Sequence, residues 1–329
     1  MKKYKLAMVG ATGLVGRTAI SVLEEFNLPI SEYVFFASER SAGKKITFNG
    51  SEHTIRELTE TSFDEGFDFA IFSAGGDISK QYAPIAASKG CVVVDNSSAF
   101  RMDEDVPLVV PEVNPEEIFK HKGIIANPNC STIQAVVPLK VLDVKYKIKR
   151  IVYSTYQAVS GAGQKGVDDL LNGLNGEEPK KFPYPIVNNC LPHIDVFLEN
   201  GYTKEEQKMI NETRKILKKQ DLRITATTVR VPVINCHSEA INVEFENDFD
   251  LNELINSLKN AEGIIVKDDL QNNVYPLATE ASGHDEVFVG RIRRDDSVPY
   301  GINFWCVADN VRKGAATNAV QIVEKLIAK

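Results

Sequence analysis

The sequence predicts an α/β protein in which a doubly wound parallel sheet is followed by an α+β domain. In the first 128 residues, short apolar segments alternate with segments whose apolar residues recur at helical spacing, which is typical of βαβ units. Beyond that point the strand patterns are longer and some alternate apolar with polar residues. A chain of 329 residues is also long enough for two domains.

The first half opens as strand, glycine loop, helix and strand. Tyr4–Val9 forms an apolar strand pattern, apolar residues from Val15 to Phe26 recur at helical spacing, and Tyr33–Ala37 is a second strand. This β–α–β unit builds a parallel sheet. The alternation continues with one more helix, at Ile78–Ser88, and with strands at Phe67–Ala74, Cys91–Asp95 and Gly123–Ala126.

In the second half, strands and helices are less regularly ordered. The predicted strands are Ile148–Thr155, Ile224–Val233 and Glu239–Phe245, and the predicted helices are Thr203–Lys219, Leu251–Asn260 and Ala315–Ala328. Thr203 is a suitable N-cap, with Glu206 at the capping-box position. A mixed sheet covered by helices is the expected architecture.

Composition argues against several classes of function. The formal net charge is −7 and the sequence pI is about 5.4, so we expect neither a nucleic-acid nor a membrane-surface binder. The N-terminal residues have the pattern of a strand rather than of a signal peptide, and there is no long apolar run. The five cysteines are widely spaced without a CxxC pair, which argues against disulfides and a zinc site and favours a reducing cytoplasm.

The stretch GATGLVG places Gly10, Gly13 and Gly16 between the first strand and the first helix. In this context glycines let the backbone turn tightly and approach a pyrophosphate, which the helix N-terminus then binds. The stretch therefore predicts a Rossmann-type dinucleotide site. The alternative is a glycine-rich turn without a ligand.

The end of the second strand favours NADP over NAD. An NAD-binding chain usually has an acidic residue here for the ribose 2′-hydroxyl. Glu39 is present in ASERSAGK, but it is surrounded by Ser38, Arg40, Ser41 and Lys44. Two hydroxyls and two cations suit a 2′-phosphate. A solvated basic turn is the alternative.

Cys130, in NPNCST, is the candidate nucleophile. It follows a strand and precedes a segment that can form a helix, so it would lie near a helix N-terminus, where the pKa of a thiol is lowered. A thiolate can add to an aldehyde to form a thiohemiacetal, which transfers its hydride to nicotinamide and becomes a thioester. Cys91 and Cys306 have apolar neighbours, Cys190 lies in a loop and is undecided, and Cys236 directly precedes His237, which is poor geometry for a Cys–His pair.

Two further residues could serve this chemistry. His237 lies between two strand patterns and is a candidate base, although a histidine taken alone is more often structural. Arg230, a few residues earlier, could bind a carboxylate through its bidentate fork.

Ten motifs in order give the chain a family resemblance. It resembles the aspartate-β-semialdehyde dehydrogenase family nearly end to end, through GATGLVG, ASERSAGK, FSAGG, DNSSAFRM, VPEVN, NPNCST, YQAVSGAGQKG, EEQKM, RVPV with CHSEAINVEF, and DNVRKGAATNAVQI. The resemblance implies reversible reduction of L-4-aspartyl phosphate to L-aspartate 4-semialdehyde with NADPH and release of phosphate. This step leads to lysine, threonine, methionine and diaminopimelate.

The resemblance also assigns roles. Cys130 resembles the thioester nucleophile, His237 the general acid/base and Gln157 the residue that orients the acyl group. Arg230 resembles the clamp on the substrate carboxylate and Glu205 the partner of its amine, while the phosphate site would be Arg101, Asn129 and Lys208. The implied cofactor residues are Gly10, Thr12, Gly13, Leu14, Val15, Ser38, Arg40, Ser41, Ala74, Gly75, Ser160, Gly161 and Asn310, and no metal site is implied.

By the same resemblance, the last helix would return to the cofactor domain. The expected NADP-binding domain is residues 1–128 plus 309–329, and the expected catalytic and dimerisation domain is residues 129–308. The implied assembly is a homodimer, with a dimer of dimers as the alternative.

An NADP-dependent reductase of the N-acetyl-glutamyl-phosphate type is the nearest alternative function. Such an enzyme would need no acidic residue for a free amine. A non-catalytic NADP sensor is a rival from another class.

Overall fold

The computed structural model describes residues 3–329 and divides into two compact units. One unit contains the chain up to Pro128 together with Ala315–Lys329, and the other is Asn129–Gly314. In the described residues, no helix is both long and apolar enough to cross a membrane.

Residues 3–329 contain fourteen strands and eight α-helices. The strands are β1 (Tyr4–Val9), β2 (Ile30–Ala37), β3 (Lys45–Phe48), β4 (Ser51–Thr54), β5 (Arg56–Glu57), β6 (Phe69–Phe72), β7 (Val92–Asp95), β8 (Ile124–Ala126), β9 (Ile148–Gln157), β10 (Arg223–Arg230), β11 (His237–Phe245), β12 (Ile264–Val266), β13 (Val287–Asp295) and β14 (Gly301–Ala308). The helices are α1 (Leu14–Phe26), α2 (Gly76–Ser88), α3 (Cys130–Tyr146), α4 (Gln164–Gly173), α5 (Lys204–Leu217), α6 (Leu251–Lys259), α7 (Ala278–Ala281) and α8 (Asn318–Ile327).

The first unit is built on a six-stranded parallel sheet in the order β5-β2-β1-β6-β7-β8. In chain order within the sheet this is 3-2-1-4-5-6, the order of the dinucleotide-binding fold. Leu6 and Met8 of β1 pack into the core that includes α1 and α8, whereas Ala7 and Val9 face the core that includes α2. Since both faces are covered, β6 and the last four residues of β1 and of β2 are continuously apolar and buried, as the sequence indicated.

The second unit contains a six-stranded mixed sheet in the order β10-β9-β11-β14-β13-β12. The end pairs β10–β9 and β12–β13 are parallel, and the central pairs are antiparallel. On β11, His237, Glu239 and Ile241 are buried, while the alternate residues are only half-buried. Helices α3, α5 and α6 complete this α+β unit, and both predicted fold classes are thereby confirmed.

Local sequence signals account for several element ends. Thr203 caps α5 through its side chain, and Glu206 bonds back to the Thr203 N–H, so the predicted capping box is present. The strand predicted to run to Val233 ends at Arg230, because Pro232 has no N–H to donate to a sheet. The β3–β4 hairpin, α4 and strands β12–β14 were not predicted.

The C-terminal segment differs from the prediction. Its first turn, Arg312–Thr317, is a π-helix, and α8 begins only at Asn318. The chain joins the first unit at Ala315 rather than at residue 309. The reason is visible in the hydrogen bonds: Asp309 and Asn310 bind Asn235, Cys236 and Ser160 of the second unit.

The glycine loop gives a testable stability prediction. A Cβ at Gly16 would lie 2.0 Å from the Gly10 carbonyl oxygen, whereas a Cβ at Gly13 would meet nothing closer than 3.5 Å. We expect Gly16→Ala to lower the free energy of unfolding by about 1–3 kcal/mol, since backbone must move. Gly13→Ala, the matched control, should cost no more than about 1 kcal/mol. Urea unfolding curves measure both, and equal losses would contradict the close-approach argument.

Candidate active site

Cys130 is the first residue of α3 and follows the N-cap Asn129, as the sequence predicted. The Asn129 side-chain oxygen accepts from the backbone N–H groups of Ser131, at 3.0 Å, and Thr132, at 3.4 Å. The helix start therefore has a well-defined direction, and Cys130 lies at its positive dipole end. The thiol is partly exposed, in contrast to those of Cys91, Cys236 and Cys306, which are buried.

The Cys130 Sγ lies 3.2 Å from Nε2 of His237. The other ring nitrogen, Nδ1, accepts a 3.0 Å hydrogen bond from the backbone N–H of Ala158. Because Nδ1 is an acceptor, the neutral ring carries its hydrogen on Nε2 and directs it at the sulfur. Full burial and the nearby Arg230 lower the pKa of His237 well below its ordinary value, so the imidazole is neutral at physiological pH.

Cys236 has no part in this pair. It lies just before β11 with φ of 72°, so the chain turns there and only His237 enters the strand. Its side chain packs with Phe288 and Val307, and burial raises the pKa of its thiol. The expected poor geometry of a Cys236–His237 pair therefore has a clear structural reason.

The Glu205 carboxylate joins three elements behind the nucleophile. Its Oε1 accepts from Asn129 Nδ2 at 2.9 Å and from Gln157 Nε2 at 3.2 Å, and its Oε2 accepts from Lys208 Nζ at 3.2 Å. Burial would raise the pKa of Glu205, but Lys208 and the two amides outweigh that effect and lower it. The carboxylate is therefore ionised, although it is only 5% exposed.

Gln157 has a defined orientation. Its amide nitrogen binds Glu205, and its carbonyl oxygen accepts a 3.0 Å bond from the Thr155 hydroxyl. Both contacts are within the second unit and come from β9 and α5. Since each end of the amide has a partner of the right type, the group cannot flip without losing both bonds.

Arg230 ends β10 and is 5% exposed. Its Nη1 donates to the Ala158 carbonyl at 2.6 Å, and the guanidinium lies 5.9 Å from the centre of the Phe182 ring. Burial lowers the pKa of Arg230, and the negative charges of Glu205 and Cys130 oppose that effect. A guanidinium has five N–H donors, so this one bond leaves capacity for a carboxylate.

Gly161 lies beside both functional groups. A Cβ there would be 2.9 Å from Arg230 Nη1 and 3.1 Å from His237 Nε2. Any side chain at this position would therefore displace one of them. Ser160 and Asn310 bind each other, Oγ to Nδ2, at 3.0 Å, and Asn310 also accepts from the Cys236 N–H.

The residues predicted for phosphate binding lie in different units. In the second unit, Lys208 donates to Asp195 at 2.7 Å as well as to Glu205. Burial lowers the pKa of Lys208, but the two carboxylates outweigh this and raise it. In the first unit, Arg101 is buried and donates to the carbonyl groups of Asn127 and Asn96 at 2.9 and 3.0 Å.

The glycine loop of the first unit fits a pyrophosphate. Gly13 is the N-cap of α1 and provides no side-chain cap, so the N–H groups of the first turn face an open helix end. The other first-unit candidates are Thr12, Leu14 and Val15 in this loop and turn, Ser38, Arg40 and Ser41 after β2, and Ala74 and Gly75 after β6. Parallel strands β1, β2 and β6 are neighbours, so these groups lie at one edge of the sheet.

Three contributors to the site were not predicted. The Ala158 N–H that orients His237 is a backbone group and leaves no signal in residue type. Thr155 binds Gln157, and Phe182 lies on Arg230 from a loop that Asp169 holds through three backbone N–H groups. The predicted strand ending at Thr155 could have suggested this residue, since Thr155 lies two residues before Gln157 and would share its strand face.

Models of two known domains match the chain. Residues 5–121 match a semialdehyde dehydrogenase NAD binding domain, and residues 139–313 match a semialdehyde dehydrogenase dimerisation domain. A curated aspartate-semialdehyde dehydrogenase from Aquifex aeolicus is 58% identical over 333 residues, which cover 98% of each chain.

The chain belongs to the aspartate-semialdehyde dehydrogenase family. Another member, from Bacillus subtilis, is 47% identical and is matched over 98% of this chain and 96% of its own. Members of the family are oxidoreductases that act on an aldehyde group.

Solved structures of this family agree with the fold. The aspartate semialdehyde dehydrogenase II of Vibrio cholerae, complexed with ASA, has a TM-score of 0.97 at 46% identity, with coverage of 100% of this chain and 99% of that one. The Candida albicans aspartate semialdehyde dehydrogenase with NADP has a TM-score of 0.77 at 27% identity, with coverage of 99% and 98%.

The thiol environments predict selective alkylation. We expect iodoacetamide at neutral pH to label Cys130 first, since its sulfur is accessible and faces the His237 N–H and Arg230. The exposed Cys190 should react more slowly, while burial protects Cys91, whose pKa is raised to about 12. Peptide mass spectrometry measures the order, and Cys130→Ser is the control. Faster labelling of Cys190 would argue against an activated Cys130.

Proposed function

We propose that this protein is an NADP-dependent, phosphorylating aspartate-semialdehyde dehydrogenase that works through a thioester on Cys130. The observation that carries the proposal is the 3.2 Å contact between Cys130 Sγ and His237 Nε2 in a chain of this family. The donor at Nε2, the guanidinium of Arg230 and the α3 dipole all stabilise negative charge on the sulfur. The sulfur is therefore prepared to attack as a thiolate.

In the reductive direction, the Cys130 thiolate attacks the acyl carbon of aspartyl phosphate. The C–S bond forms, the acyl C–O bond to phosphate breaks, and phosphate leaves with that electron pair. When bound, NADPH would supply the hydride that reduces the resulting thioester. The thiohemiacetal oxyanion then collapses to the aldehyde, and the sulfur leaves again as the thiolate.

His237 acts in these steps through its Nε2 hydrogen. It stabilises the thiolate and then the oxyanion, in the manner of a neutral imidazole that polarises a carbonyl. The family resemblance gave His237 the role of general acid/base. To accept a proton on Nε2, the ring would also have to carry hydrogen on Nδ1, which faces the Ala158 N–H. The geometry therefore favours His237 as a hydrogen-bond donor through Nε2 rather than as a base.

The remaining groups fit an amino-acid substrate. Arg230 would bind the α-carboxylate, and Glu205, which is ionised, would attract the α-amine. Gln157 would orient the acyl group. Lys208, Asn129 and Arg101 remain the proposed phosphate contacts.

The choice of NADP rests on the residues that follow β2. Arg40 and Ser38 are exposed there and Ser41 is half-buried, at the sheet edge that carries the glycine loop. This set suits a 2′-phosphate, and a relative from Candida albicans was crystallised with NADP. Ser160, Gly161 and Asn310 are proposed as further cofactor contacts.

We further propose a homodimer in the cytoplasm, with a dimer of dimers as the alternative. The match of residues 139–313 to a dimerisation domain supports the homodimer. The outer face of the second sheet carries the partly exposed Tyr156 ring next to Trp305, with centroids 5.4 Å apart. The proposed role is the step toward lysine, threonine, methionine and diaminopimelate.

A reductase of the N-acetyl-glutamyl-phosphate type is the second candidate. It would use the same nucleophile and glycine loop, but its substrate has no free amine. An ionised, buried Glu205 beside Arg230 favours the aspartate substrate.

The decisive assay measures NADP reduction with phosphate and each semialdehyde. We expect turnover with aspartate semialdehyde and none with N-acetyl-glutamate semialdehyde; the reverse result would establish the second candidate. Cys130→Ser should lose at least about a thousandfold in kcat, because the thioester cannot form. NADP affinity of that variant, measured by calorimetry, should stay within about twofold.

The cofactor preference is tested separately. Arg40→Ala should raise KM for NADPH about tenfold or more, since a charge-assisted bond to the 2′-phosphate is lost. KM for NADH should not change. Lys45→Ala, an exposed cation on β3, is the control and should leave both values within about twofold. An equal rise for NADH and NADPH would exclude Arg40 as the 2′-phosphate contact.

A further inference from the structure

Glu239 is a buried acid to which the proposed mechanism gives no role. It lies on the inner face of β11, two residues after His237, and is 0% exposed. Neither of its carboxyl oxygens has a hydrogen-bond partner among the described residues. An ionised carboxylate in such surroundings would be very unfavourable. Burial, together with the Glu205 carboxylate, raises the pKa of Glu239 well above its usual range.

The groups around Glu239 favour its neutral form. Its register partners are Thr155 on β9 and Cys306 on β14, and Tyr153 lies two residues before Thr155 on the same face of β9. The charges and titratable groups that face it are the Glu205 carboxylate, the Cys306 thiol, the Tyr153 hydroxyl and the neutral His237. None of these four carries a positive charge at neutral pH, so nothing in this set offsets ionisation.

Gln134 lies against the same part of β11. It is on α3, one turn after Cys130, and is 0% exposed. Its Nε2 donates to the His237 carbonyl oxygen at 3.2 Å and lies 3.9 Å from Cys306 Sγ. A carbonyl can only accept, so the amide orientation is fixed. The Gln134 Oε1 is then left buried without a donor.

The unmet needs of these two side chains are complementary. A neutral carboxyl has one O–H to donate, and Gln134 Oε1 is an acceptor without a donor. Both groups adjoin Cys306, one through strand pairing and the other through the contact of its amide. Two carboxyl oxygens and an amide oxygen would otherwise be buried together at considerable cost.

We propose that Glu239, in its neutral form, donates to Gln134 and is a positioning residue for the Cys130–His237 pair. The contact completes a latch, formed by Glu239, Gln134 and the His237 carbonyl, that holds the first turns of α3 against the start of β11. These two segments carry the nucleophile and its imidazole partner. The latch therefore sets the distance between Sγ and Nε2 without touching substrate.

The first test compares two replacements of nearly equal size. Glu239→Gln keeps a donor and cannot ionise, whereas Glu239→Met removes the donor. We expect Glu239→Met to lower kcat about tenfold with KM unchanged, since loss of one buried hydrogen bond loosens the pair. It should also slow alkylation of Cys130 at pH 7. Glu239→Gln should retain both rates, so rescue by the conservative variant distinguishes positioning from packing.

The second test uses pH. The raised pKa of Glu239 in the folded protein means that the folded state binds its proton more tightly than the unfolded state. Stability from this group is thus fully present below the ordinary carboxyl pKa of about 4.3 and is lost as pH rises toward the raised value. The Tm of Glu239→Gln minus that of the wild type should therefore increase between pH 5 and pH 8. A difference independent of pH would show that Glu239 is not a buried neutral acid.

Controls separate the latch from general stability. Glu244 is on the same strand, mostly buried and paired with Lys149 at 2.6 Å; Glu244→Gln and Glu244→Met should leave alkylation of Cys130 unchanged. Gln134→Met should slow alkylation as much as Glu239→Met, and the double variant should be no slower than either. Additive losses, or equal losses in Glu239→Gln and Glu239→Met, would overturn the proposal.

The kcat measurement alone rests on the proposed function. Alkylation of Cys130 and the Tm comparison need no turnover, so they can fail or succeed independently of the substrate assay. If Glu239→Met does not fold, the Tm of Glu239→Gln and the alkylation of Cys130 in Gln134→Met still test the proposal.

Discussion

The second unit depends on one buried negative charge, the carboxylate of Glu205. It receives hydrogen bonds from Asn129 at the start of α3, from Gln157 at the end of β9 and from Lys208 one turn further along α5. Asn129 in turn caps the helix that presents Cys130. Removing this charge would leave the side-chain N–H groups of Asn129 and Gln157 buried without their acceptor, and Lys208 would keep only its bond to Asp195, so the costs would add in one place. The position of the nucleophile is thus a consequence of an ion that does not contact it.

Two acids of this unit illustrate how surroundings decide protonation. Glu205 has a cation and two amide donors and is ionised, whereas Glu239 is 0% exposed and without such donors, and its pKa is raised, which favours the neutral form. The negative charge of the first contributes to the neutrality of the second. His237 is kept neutral by burial, by Arg230 and by the Ala158 N–H. The site thus combines an ionised carboxylate, a buried acid whose neutral form is favoured and a fixed imidazole tautomer.

Sequence patterns were informative wherever side chains carried the signal. The β1–α1–β2 unit, the Thr203 capping box and the position of Cys130 at a helix start followed from periodicity and cap chemistry. The roles of Gln157, Glu205 and Lys208 came only from resemblance, since nothing in spacing brings β9 and α5 together. The Ala158 N–H could not be predicted, because every residue has one. The π-turn before α8 was also missed, since its residues have the same apolar spacing as an α-helix.

The order of the chain has a consequence for its synthesis. Helix α8 contributes Ala319, Val320 and Val323, all fully buried, to the core that Leu6 and Met8 of β1 also line. The ribosome makes these helix residues only after the whole of Asn129–Gly314. At typical elongation rates that interval lasts about 10–40 s, during which one apolar face of the first sheet lacks its cover. The nascent chain must therefore carry an exposed hydrophobic surface while its second unit folds, and chaperone binding in that interval would serve solubility rather than catalysis.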